Sequence, residues 1–171
     1  MEPFTNNTID ISQLPRFEAV EFQKLHPDYW KVLVLNRFLV FLVLAIGIGC
    51  ATYFIEEIKM MIPYIWGGFG VLLVLTFLFL RIAFLKKGFA FREHDVLFRD
   101  GIIATNTIII PYNRVQHVAL HEGWVSRYFG LAKVEIFTAG ASSSDIEIPG
   151  IEKEQAEKIK QLVMGKIQQQ L

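Results

Sequence analysis

Residues 38–80 decide the reading: FLVFLVLAIGIGCATYFI from Phe38 to Ile55, EEIK, then MMIPYIWGGFGVLLVLTFLFL from Met60 to Leu80. The two blocks hold about 18 and 21 residues without a charge. At 1.5 Å of helical rise per residue each spans roughly 27–32 Å, the thickness of a bilayer's hydrocarbon core. Four residues separate them, enough for little more than a reversal, so the pair reads as a transmembrane helical hairpin. The alternative, a buried helix pair of a soluble protein, requires a polar stripe facing water, and neither block offers one.

The flanks agree. Tyr29, Trp30, Tyr53, Tyr64 and Trp66 stand at the block ends, where amphipathic rings favour the headgroup level. Lys24, Lys31 and Arg37 precede the hairpin and Arg81, Lys86, Lys87 and Arg92 follow it, whereas the turn sets Glu56 and Glu57 against Lys59. Basic residues favour the cytoplasmic side, so both termini are expected in the cytoplasm and the turn outside. An even number of spans returns both basic flanks to one side, so charge pattern and span count agree. The first apolar block begins only at Phe38, behind a mixed-charge leader, and is too long for a signal-peptide core; an uncleaved anchor is expected.

Composition narrows the functional classes. The 171 residues leave room for the hairpin and one small domain, and the 53% apolar content is raised by the hairpin itself. Formal net charge is zero, so no basic field points to nucleic acid. Cys50, inside the first block, is the sole cysteine, which excludes an intramolecular disulfide and a cysteine-based zinc site.

Three regions are expected: an arm over 1–31, the hairpin over 32–85 with spans at about 34–55 and 60–82, and a sheet domain over 86–171. In the arm, residues 1–7 read as disordered. From Ile9 to Lys31, apolar Leu14, Phe17, Val20, Phe22 and Leu25 alternate irregularly with charges and are broken by Pro15 and Pro27. This is an element of undecided type, lying on the membrane surface or against the domain. In the hairpin, Gly47 and Gly49 of the first span and Gly67, Gly68 and Gly70 of the second are expected to let the helices approach closely, because small residues mediate helix contact in lipid. Pro63 suits the first turn of the second helix.

Beyond Gly88 the pattern changes to short β segments. FAFR and VLFR flank a turn at Glu93–Asp95; Arg99-Asp100-Gly101 signals a hairpin; GIIATNTIIIP is rich in β-branched residues. NRVQHVALHE alternates so as to place Val115, His117, Ala119 and His121 on one face. The connection WVSRYFGL, the strand AKVEIFTA, the loop GASSS and the strand DIEIP follow. Ala156, Ile159, Val163 and Ile167 then form the apolar stripe of a closing helix, and Gln168–Gln170 its frayed end. About six successive strands and a terminal helix predict an antiparallel sheet or partial barrel capped by that helix.

The chemistry is sparse. His117 and His121 stand four apart with Glu122 next, but no third metal ligand is evident. Ser142, Ser143 and Ser144 precede Asp145 without the G-x-S-x-G elbow that exposes a nucleophile, and a flexible loop explains the run. No phosphate-cradling glycine loop occurs, and Asp95 and Asp100 read as turn residues. No enzyme, metal site or cofactor is expected. The juxtamembrane Lys86, Lys87 and Arg92, and Arg114 in the sheet domain, are the candidate contacts for anionic headgroups.

The order NRVQHV, WVSRYFGL, AKVEIFTAG, short strand and helix resembles the bacterial pleckstrin-homology (PH) domain bPH2, and two preceding spans resemble its YdbS-like membrane proteins. The pieces carrying this resemblance are Arg114 with Gln116; Arg127, Gly130 and Leu131; and Thr138, Ala139 and Gly140. It implies a membrane α+β protein, a two-helix transmembrane hairpin followed by a cytoplasmic PH-like antiparallel sandwich or partial barrel with a C-terminal helical cap. It further implies a second membrane protein carrying several such domains as partner, or self-assembly. It does not imply phosphoinositide binding, for the turn Glu93–Asp95 lacks a basic cluster. With that resemblance, the functional expectation is a non-enzymatic protein of the bacterial inner membrane presenting this module in the cytoplasm for protein assembly, with anionic-lipid binding as the alternative and a membrane-bound hydrolase as the remote one.

Overall fold

A computed structural model describes residues 19–139 and 146–168. Strand β1 (Gln23–Lys24) leads into helix α1 (Tyr29–Phe54). A 3-10 turn at Glu56–Met61 reverses the chain into helix α2 (Ile62–Lys86), with Pro63 in its first turn, where the missing N–H has no partner to lose. The 3-10 turn carries the Lys59–Glu56 pair at 2.7 Å. The two helices reach beyond the charge-free blocks at the end where they join the sheet domain, α1 beginning eight residues before Arg37 and α2 running on to Lys86.

The glycine expectation is overturned within the chain. A Cβ added at Gly47, Gly49, Gly67, Gly68 or Gly70 would meet no atom of the facing helix within 4 Å. Aromatic rings span the gap instead: Phe41 lies 5.5 Å, edge-on, from Phe69 and 6.4 Å from Phe77. Side chains of that size hold the axes too far apart for glycine-to-glycine contact, and the glycine faces are left outward.

Strands β2 (Gly88–Phe91), β3 (Asp95–Asp100) and β4 (Asn106–Pro111) continue from α2 as an antiparallel sheet in the order β1-β2-β3-β4. Gly101 has φ +128°, and a Cβ there would stand 1.9 Å from the Ala104 carbonyl oxygen, so only glycine makes this turn. Ile102 and Ile103, expected at the start of a strand, lie in this loop, and Ile103 is exposed.

A 3-10 turn at Tyr112–Arg114 rotates the chain into a second antiparallel sheet, β5 (Val115–His121), β6 (Leu131–Thr138) and β7 (Ile146–Glu152). Tyr112 sits buried at the corner; its hydroxyl donates to the Arg92 carbonyl (3.0 Å), and its amide to that of His94 (3.0 Å).

The expected alternation of β5 is corrected by a bulge. Val115 pairs with Thr138 and His117 with Phe137, so Gln116 is the extra residue and the phase flips there. Val115 and Val118 are buried, whereas His117 and His121 face outward, and the His117 ring stacks on Phe137 at 4.3 Å.

The connection after β5 holds a short helix, α3 (Trp124–Tyr128), and the chain closes with α4 (Lys153–Gln168). Ala156, Ile159 and Val163 are buried and Ile167 packs beside them, the stripe expected of a capping helix. It covers a core of inward residues from both sheets, among them Phe89, Val96, Phe98, Val134, Ile136 and Ile148. Two antiparallel sheets joined at a corner and capped by a helix are the expected PH-like arrangement.

The arm has a definite role. Gln23 and Lys24 pair with Phe89 and Gly88, Leu25 enters the core, and the His26 amide donates to the Gly150 carbonyl at 2.8 Å. Residues 22–28 thus strap one sheet to the other before the chain enters α1. The readings of residues 1–18, Gly140, Ser142–Ser144 and the chain's last three residues lie outside the described residues.

Candidate functional site

The junction of hairpin and sheets concentrates aromatic and basic groups. Tyr29 and Trp30 open α1 and both pack on Phe84 near the end of α2, at 6.4 and 5.9 Å. The Arg81 guanidinium lies over Trp30 at 5.0 Å and Phe84 at 5.6 Å, a cation–π contact that ties the two helices. Lys86 donates to the Ile102 carbonyl (2.6 Å), which fixes the β3–β4 loop against the end of α2.

On the other side of the junction α3 lies beside α1. Trp124, Val125 and Ser126 share a cavity of about 380 Å³ with Asn36 and Leu39 of α1. Trp124 and Tyr128 are 92% and 85% exposed, and Trp124 shares its cavity with the two α1 residues on either side of Arg37–Phe38. By sequence the segment reads as a plain connection. Two aromatics in one short helical turn were its only signal, and five residues are too few for a hydrophobic period to register.

The candidate basic residues separate. Lys86 and Lys87 stand at the junction. Arg92 does not: at the far end of β2 it grips Asp95 through two bonds of 2.6 and 2.5 Å, so its guanidinium is committed to a carboxylate and is not presented to a headgroup. Arg114 lines a shallow groove of about 450 Å³ with Ile108, Ile109, Ile110, Pro111 and Thr138, beside strand β4. Among the described residues β4 is paired on one side only, with β3, and Ile109 stands 40% exposed along it.

The motif residues fall into two structural groups. Around the groove, the Ala139 amide donates to the Arg114 carbonyl (3.2 Å), and Gln116 forms the bulge that turns β5. At the opposite end of that sheet, Gly130 adopts φ +67° and its carbonyl accepts from the Lys153 amide (3.1 Å), while Leu131 is buried beside it. Glu122 bridges Lys153 (2.9 Å) and Arg127 (3.6 Å) there. The bond from Lys153 holds the Glu122 carboxyl below its ordinary pKa. Glu122 is therefore engaged by cations and does not complete a ligand set with His117 and His121; among the described residues no three acidic, histidine or cysteine side chains gather.

A family model described as "Bacterial PH domain" matches residues 31–167. The chain is also similar to UPF0699 transmembrane protein YdbS of Bacillus subtilis (strain 168), 27% identical over 146 residues, which cover 80% of this chain and 87% of that protein. No solved structure matches.

Proposed function

The chain belongs to the bacterial PH domain family, and from that premise we propose that this transmembrane protein is a non-enzymatic assembly module of the inner membrane. Its hairpin crosses the membrane twice, with both termini and the sheet domain in the cytoplasm, as the basic flanks favour. The sheet domain then meets either a second membrane protein bearing PH-like domains or a second copy of itself. The supporting observation is that, among the described residues, β4 is paired on one side only, next to the apolar groove of Ile108–Pro111 and Arg114. An unpaired strand edge offers a row of backbone donors and acceptors, and an adjoining apolar groove gives alternate side chains a place to bind.

The test uses the full chain, purified from native membranes in mild detergent. Wild type is expected to carry a stoichiometric membrane partner, or to run as an oligomer, through a salt wash. Ile109→Lys combined with Thr107→Pro blocks the edge and should abolish that association while the thermal transition persists. Undiminished association in this variant overturns the reading.

A further inference from the structure

We propose that the junction between α1 and α2 holds one anionic phospholipid, its phosphate bound by Arg37 and Lys87. The helices part there around a cavity of about 560 Å³. Leu33 of α1 and Phe79, Leu80 and Phe84 of α2 supply apolar walls, and Arg37 and Lys87 supply the charges.

The depth of the cavity identifies the occupant. The charge-free blocks begin at Phe38 and end at Leu80, so Arg37 and Arg81 are the first charges met on leaving the hydrocarbon. Past that level α1 runs on toward the sheets for roughly 12 Å and α2 for roughly 9 Å, enough to cross a headgroup layer of about 5–8 Å. Phe79 and Leu80 therefore line the part of the cavity that faces acyl chain, and Lys87 the part that faces the headgroup. Long cationic side chains lay their stems on apolar surface and bring their charges to a common polar level.

The charges are available. Arg81 is taken up by Trp30 and Phe84 and Lys86 by the Ile102 carbonyl, but neither Arg37 nor Lys87 forms an ion pair or side-chain hydrogen bond among the described residues. No carboxylate lines the cavity. Asp100 and Glu147 line the adjoining cavity, which Lys87 also borders, and no ion pair joins either to Lys87; Lys133 there is matched to Glu135 and Glu147 at 2.5 and 3.0 Å. Two unmatched cations at the mouth of an apolar cleft are complementary to an anion with an apolar tail. A free phosphate would leave the walls without a partner; a zwitterionic lipid would add a cation to two. Ile102 also lines the cavity, its carbonyl held by Lys86. This site is independent of strand β4 and stands or falls apart from the assembly reading.

Native mass spectrometry of the full chain in zwitterionic detergent tests it, with phosphatidylglycerol and phosphatidylcholine supplied in equal amounts. Wild type should retain one phosphatidylglycerol in clear preference. Losing two charges worth about 1 kcal/mol each near a membrane surface, Arg37→Gln with Lys87→Gln should weaken retention about thirtyfold. Lys158→Gln, on the exposed face of α4, should leave it unchanged. Equal retention of the two lipids by wild type overturns the proposal without any variant, as does undiminished retention by a double variant with an unaltered thermal transition. Displacement of the lipid by an equal concentration of glycerol phosphate would assign the cations to a free phosphate and overturn it too.

Discussion

The hairpin and the sheet domain are both built from Phe, Leu, Ile and Val, yet they treat those residues oppositely. Along α2 no residue is buried, and Val43 of α1 is 69% exposed, whereas Val96, Val134 and Ile148 of the sheets are at 0%. In the sheets apolar surface is removed from water only by contact with other protein, so each side chain must fit its neighbours. For the hairpin a bilayer can do that work, and the two helices meet through aromatic contacts around Phe41 and through Trp30 against Phe84 and Arg81. Equal hydrophobicity thus carries unequal structural demand.

The sharpest way to break this contrast is at Gly150, where the two regions touch. Gly150 has φ +65°, and a Cβ there would lie 2.3 Å from Tyr29 Cγ. Gly150→Ala combines left-handed strain with a clash against the first turn of α1, and should cost about 3–5 kcal/mol of unfolding free energy for the detergent-solubilised full chain. A cost under about 1 kcal/mol would show that the strap and the helix start are not rigidly coupled to β7.

A paired comparison follows. Ile148→Ala in the sheet core should cost about 3–4 kcal/mol through lost burial and a residual cavity. Val43→Ala, facing lipid, should cost less than about 0.5 kcal/mol in the same denaturation assay. Similar values would dissolve the distinction.

Next in size is an alkaline effect confined to the sheets. Burial pushes the Tyr112 hydroxyl from 10.0 up to about 12, with the Asp95 carboxylate adding to it. A raised folded-state pKa stabilises fully below pH 10 and is lost as pH rises to 12, because the unfolded chain ionises first. Two units correspond to about 3 kcal/mol. Tyr112→Phe should lose about 1 kcal/mol at neutral pH, leaving the Arg92 carbonyl unpaired, and show a correspondingly shallower decline between pH 10 and 12. Parallel alkaline limbs for the two proteins would sink this account.

The smallest expected change is at the hairpin glycines. With nothing within 4 Å of a Cβ at Gly67 or Gly68, Gly67→Leu with Gly68→Leu should not lower the stability of the single chain. If it weakens association instead, the outward glycine faces are a packing surface for another helix; if it unfolds the hairpin, the aromatic contacts are not what holds it.

Much was legible without coordinates, for reasons of period and length. Long charge-free runs mark the hairpin, and the 3.6-residue stripe through Ala156, Ile159, Val163 and Ile167 marks α4 with its buried face. Turn chemistry at Glu93–Asp95 and Arg99–Gly101 marks two hairpins. Where the reading failed, a single residue or a distant contact was responsible. One bulged residue, Gln116, shifts a two-residue period by half and sends His117 to the opposite side from Val115. Leu25 looks like any apolar residue of an irregular arm until Phe89 and the second sheet enclose it. Arg92 reads as a membrane-proximal cation until the β2–β3 turn brings Asp95 back to it.

The sequence alone marked two apolar segments long enough to cross a bilayer and an antiparallel sheet domain with a helical cap behind them, because hydrophobic length and periodicity are local properties of the chain. Only the tertiary structure decided, among the described residues, which cations remain unmatched, which glycines face outward and that β4 is paired on one side only. Each of those depends on what a side chain meets across the fold, and no local pattern records it.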